Sequence, residues 1–145
     1  MIARIVRFAL LAAFTLAAPC VSFAKDDARF FKSVEGKWFG PGEIVAGKYK
    51  GTKFTCTLAG TQPGGMTGIS MDGQCRVGVF TQDMNAKIMV SPKGYSGAFL
   101  DGAKGKGLDI VSGNVTGDRV TMALNRNKLN GAMLARMESS DLMHV

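Results

Sequence analysis

The chain has 145 residues and a formal net charge of +7, from 18 Lys and Arg against 11 Asp and Glu. That length suits one domain with one core and leaves no room for a multidomain assembly. The lysines are scattered and not interleaved with aromatics, so the charge favours anionic surfaces in general without indicating a nucleic-acid site.

The first 24 residues read as a cleavable secretory signal. Arg4 and Arg7 give a positive start, Phe8 to Ala18 is an apolar run, and Ser22-Phe23-Ala24 offers small residues at the positions a signal peptidase reads. Cleavage is expected between Ala24 and Lys25. The apolar run is too short for a membrane span, which takes about 20 residues. No other run in the chain is longer, so no membrane span is expected. Pro19 stands just before Cys20, where a lipid anchor wants a small residue, and this argues against lipidation. Loss of two arginines and no acids takes the charge from +7 to +5.

Residues 25–145 are then expected to form a single domain. Asp26 to Val34 reads as a short helix, capped by Asp26 or Asp27, with Phe30, Phe31 and Val34 on one stripe. After it the period changes from 3.6 to 2. Trp38 to Val45 reads as a first strand, and Lys53 to Leu58 as a second. Ile69 and Met71 sit in a third, and Cys75, Val77 and Val79 in a fourth that continues the third if Asp72-Gly73 does not break it. Further strands are expected at Asn85–Ser91, Tyr95–Leu100, Leu108–Val115, Val120–Asn125 and Ala132–Met137. Pro92-Lys93-Gly94, Asp101-Gly102 and Gly117-Asp118 supply turns.

Eight or nine short strands with short connections predict an all-β fold, a small antiparallel barrel with a short N-terminal helix. A closed barrel is favoured over a sandwich because closure removes the two edges of a meander.

Once Cys20 leaves with the signal, Cys56 and Cys75 remain as an even pair in an oxidising compartment. Gln62-Pro63-Gly64-Gly65-Met66 is a strong turn signal midway between them. A hairpin turning there sets the two cysteines opposite each other, and a disulfide is expected.

Chemistry is harder to find. The only histidine, His144, is penultimate and expected on a mobile tail, a poor place for a general base. Without a second histidine, neither a Ser-His-Asp nor a Cys-His arrangement can be built. Bonded cysteines leave zinc without ligands. The carboxylates fall mostly in turns. Gly102 to Gly107 is Gly- and Lys-rich, but no helix pattern follows it, so a flexible basic loop is expected in place of a phosphate cradle. Lys48, Tyr49, Lys50 and Lys53 read as a solvated hairpin. The nine methionines lack a Met-x-x-Met cluster and suit core filling or an adaptable apolar cavity better than copper. No enzyme activity, cofactor or metal is expected.

Gly36-Lys37-Trp38, following a helix and opening a strand, resembles the Gly-x-Trp signature of lipocalins and the wider calycin superfamily, which includes avidins. The resemblance implies a barrel whose closed end is covered by the helix and floored by Trp38. It also implies an arginine from a late strand stacked on the indole, with Arg136 the first candidate and Arg126 the second. In size the chain is similar to avidins and to small bacterial protease-inhibitor barrels. The opening Phe31-x-x-x-x-Gly36-x-Trp38-x-Gly40-x-Gly42, with the cysteine pair, resembles small secreted proteins of alphaproteobacteria. That resemblance implies a periplasmic location and no activity.

Together these readings point to a periplasmic, non-catalytic module that binds a small apolar ligand or a protein partner. A protease-inhibitor-like or structural cell-envelope role is the alternative. Met, Phe and Val serve a filled interior and a hollow one equally well, so the sequence leaves that choice open.

Overall fold

The computed structural model describes residues 23–100 and 108–145. Most of the expected signal, Cys20 and the Gly102–Gly107 loop lie outside the described residues. One helix, α1 (Phe23–Ser33), precedes nine strands: β1 (Gly36–Glu43), β2 (Lys53–Thr61), β3 (Thr67–Val77), β4 (Phe80–Ser91), β5 (Gly94–Leu100), β6 (Leu108–Thr116), β7 (Arg119–Arg126), β8 (Leu129–Met137) and β9 (Met143–His144). Each strand pairs antiparallel with the next in a single sheet.

A meander of nine strands has a topological consequence. The ninth runs in the same direction as the first, so the barrel can close only through a parallel pairing. Phe39 and Leu142 form that parallel bridge. The Phe39 N–H donates to the Asp141 carbonyl at 2.9 Å, Val145 N–H to Pro41 at 3.1 Å, and Glu43 N–H to Val145 at 3.1 Å. The sheet thereby becomes the expected small all-β barrel with a short N-terminal helix. β1 is built to receive this seam. A Cβ on Gly40 would sit 2.6 Å from the Met143 carbonyl oxygen, and one on Gly42 would sit 2.7 Å from that of Val145.

Alternation sorts the strands cleanly. Trp38, Ile69, Met71, Ala86, Ile88, Val120, Met122 and Ala135 face inward and are buried. Lys37, Thr57, Asp72, Lys87 and Asp109 face outward and are exposed. The outer face also carries exposed Phe39, Val111 and Leu134, but the apolar interior contrasts with that of a membrane-spanning barrel, which is polar. No helix among the described residues is long and apolar enough to cross a membrane.

Several expected boundaries shift. The helix begins at Phe23 rather than Asp26, and its buried stripe is Asp27, Phe30, Phe31 and Val34. The third and fourth expected strands are one strand, β3, which runs through Asp72-Gly73. It stops at Val77: Gly78-Val79 is the two-residue turn of the next hairpin, and Val79 is exposed. β4 begins at Phe80, five residues before the expected Asn85, because pairing with β3 carries it on where its own apolar alternation has ended. β9 replaces the expected mobile tail, so His144 is a strand residue.

Candidate functional site

The two ends of the barrel differ. α1 packs on β3 and β6 and covers the end where β1 starts and β2 finishes. Gly36, at a φ of 118°, lets the chain leave the helix and enter β1 directly, a conformation other residues rarely adopt. This delivers Trp38 to the floor of the barrel, 3% exposed. Its indole N–H donates to the Val34 carbonyl at the end of α1, at 2.6 Å. Phe30 and Phe31 meet edge to face at 5.5 Å between centroids, and Phe31 tilts against Tyr95 at 6.1 Å.

The Tyr95 hydroxyl donates to the Asp27 carboxylate at 2.5 Å. Burial, then this hydrogen bond, then the negative charge of Asp27 push the Tyr95 hydroxyl above the ordinary tyrosine range. Asp27, one of the two candidate caps with Asp26, is a buried acceptor at the floor. The signal was present in the sequence as a carboxylate at the i−3 and i−4 positions of the Phe30 and Phe31 stripe.

Above the floor lies a cavity of about 180 Å3. Among the described residues no charged, hydroxyl or amide side chain lines it. Five methionines do: Met71, Met84, Met122, Met133 and Met143. Met122 and Met133 are direct cross-strand partners on β7 and β8. The methionines thus gather inside the barrel without any Met-x-x-Met spacing, because strand alternation, not local sequence, brings them to one face. The interior is hollow.

Cys56 and Cys75 are register partners on β2 and β3 and are joined by a disulfide. Both face inward and contribute to the cavity wall. The bond therefore staples two wall strands from inside the barrel.

The structure brings Gly36 and Trp38 to the floor but does not bring Arg136 there. Arg136 alternates with inward-facing Ala135 and Met137, and its guanidinium pairs with Glu138 at 2.9 Å on the outside. Lys48 lies over the Tyr49 ring at 5.5 Å, away from the floor. Trp38 takes its polar contact from the helix carbonyl instead of from an arginine.

Outside the cavity, polar groups serve local structure. His144 contacts Glu138 at 3.0 Å beside the seam. Asp72 accepts from Asn85, and Asp83 from Gln74 at 3.3 Å, across neighbouring strands. Among the described residues no group of three His, Cys, Asp or Glu side chains could hold a metal ion. Every buried side-chain N and O atom among them has a hydrogen-bond partner.

Comparison of the chain with protein-family models, curated proteins and solved structures returns no match.

Proposed function

We propose that this protein is a non-catalytic binding module of the cell envelope that holds a small apolar ligand inside its barrel. The observation that carries this reading is the cavity. A cavity of about 180 Å3 whose described lining is apolar throughout offers little to a polar solute. It also holds no hydrogen-bonding groups to fix water, and an apolar cavity of about 150 Å3 is known to stay dry and take up benzene. Drug-sized ligands fill sites of about 300–1,000 Å3, so the fitting ligand is smaller: a single ring or one slim alkyl segment. Five thioethers give the wall flexible side chains that can adapt to the ligand's shape.

The periplasm is the proposed compartment. The signal pattern of residues 1–24 and a disulfide that persists where thiols are oxidised both support it. The Gly-x-Trp floor supports kinship with ligand-carrying barrels of the calycin type. The described wall, which holds no nucleophile, acid or base, supports binding over catalysis.

The test has two parts. Native mass spectrometry of protein purified from its own producing cells should show a copurifying small molecule. Melting in the presence of toluene and of n-octanol should show a rise in Tm, because a ligand at 100 times its Kd stabilises by about 2.7 kcal/mol. No copurified mass and no shift with either probe would defeat the reading.

A further inference from the structure

The end of the barrel opposite α1 carries a second pattern. Strand direction places the β1–β2 connection, the Gly78-Val79 turn and the β7–β8 turn together there. The first two are neighbouring hairpins: β3 and β4 stay paired out to Val77 and Phe80, and β2 runs beside β3 up to Arg76. The β1–β2 hairpin is extended by Ile44 N–H donating to Thr52 at 2.9 Å and Gly51 N–H donating to Ile44 at 2.7 Å.

Their tips are apolar and open to solvent. Val79 is 90% exposed, Phe80 77%, Val45 74% and Tyr49 63%. Such residues cost free energy in water when nothing covers them. The charges around them are of one sign at the tips: Lys48 and Lys50 on the first hairpin, Lys53 and Arg76 at its base and on β3, and Lys128 on the β7–β8 turn. Among the described residues no carboxylate lies within 44–52, 78–79 or 127–128; the acids at this end, Glu43, Asp83 and Asp109, sit on the strands. The cavity also reaches toward this end. Phe54, Met84, Phe99, Leu108 and Met133 line it there and keep accessible surface, while Trp38, Phe31 and Val34 at the helix end are buried.

The geometry points to a membrane-docking rim: this end of the barrel seats on an anionic phospholipid bilayer, with the apolar tips in the interface and the lysines against the headgroups. This deepens the ligand reading and rests on it, because a mouth held at the bilayer receives an apolar ligand without passing it through water. Apolar residues flanked by lysines are the composition that binds such interfaces. Each lysine near an anionic surface strengthens binding about fivefold, and added salt screens it.

Flotation of the exported protein with vesicles tests the docking. Protein should rise with vesicles containing phosphatidylglycerol, stay behind with pure phosphatidylcholine, and be released by high salt. Lys48→Gln with Lys50→Gln should weaken binding about 25-fold. Val79→Ser with Phe80→Ser, at positions too exposed to affect folding, should weaken it about tenfold. No flotation with phosphatidylglycerol vesicles overturns the proposal. So does a stable dimer in solution that Phe80→Ser dissociates, since the tips would then cover each other. Toluene-induced melting shifts, measured without lipid, separate the two readings. A shift without flotation sinks the docking and leaves the ligand reading intact. Flotation without a shift does the reverse.

Discussion

The hydroxyl of Tyr95 on β5 and the carboxylate of Asp27 on α1 meet at 2.5 Å, 68 residues apart in the chain. This bond ties the helix to the barrel it covers. Asp27 is 8% exposed, so its charge leans on this donor where water cannot serve it.

Tyr95→Phe should therefore destabilise the fold by about 1–3 kcal/mol, the cost of leaving a buried polar group short of a partner. Urea unfolding measures it. The pH dependence has a definite sign. The hydroxyl is held above its ordinary value in the folded state, so its contribution is complete below the ordinary tyrosine pKa of about 10. It is lost as pH climbs above that value, where the unfolded chain releases the proton and the folded one keeps it. Lysines titrate in the same range, so the informative quantity is the difference: stability of Tyr95→Phe should fall less steeply above about pH 10 than that of the wild type.

The Cys56–Cys75 bond closes a 19-residue separation. Replacing both cysteines with alanine should lower stability by about 3 kcal/mol in the chain-entropy view. Urea midpoints with and without reductant check this: reductant should move the wild type toward the double variant and leave the variant unchanged.

Ala86 is 1% exposed, lines the cavity and lies between Met71 and Phe99 in register. Ala86→Leu should place its added carbons in the void. Stability should hold or rise, against the loss of about 1–3 kcal/mol that overpacking a filled core brings. The toluene-induced Tm shift should disappear in the same variant.

Gly40→Ala adds a carbon where β9 passes, 2.6 Å from the Met143 carbonyl oxygen. The seam must move, at a cost of about 1–3 kcal/mol. Hydrogen exchange should localise the damage: the Phe39, Glu43 and Val145 amides should lose protection while those of β6 and β7 keep theirs.

Strand alternation carried the legible part of this fold. It identified β1, β2 and β5–β8, and the turn midway between Cys56 and Cys75 set their register correctly. Elements without their own pattern escaped. Thr81, Gln82 and Asp83 carry no apolar alternation and are strand only because β3 pairs with them. β9 is two residues long and exists because β1 has glycines to receive it. The Gly-x-Trp resemblance alone points to Arg136 at the floor, and the unbroken apolar run Ala132 to Ala135 gives no alternation to show on which face the next residue falls; Arg136 faces outward and pairs with Glu138. The cavity lay beyond sequence altogether: the same Met and Phe side chains would describe a solid core, and only their placement around the barrel leaves the middle open.

The parallel seam fixes an order of events. β1 is made before the other strands and its seam partner β9 after them, so one edge of the sheet stays bare until residues 142–145 are available. Until then the apolar interior cannot be sealed. The same arrangement bears on engineering: a bulky group attached close to Val145 sits beside the last-formed pairing and competes with the closing of the barrel.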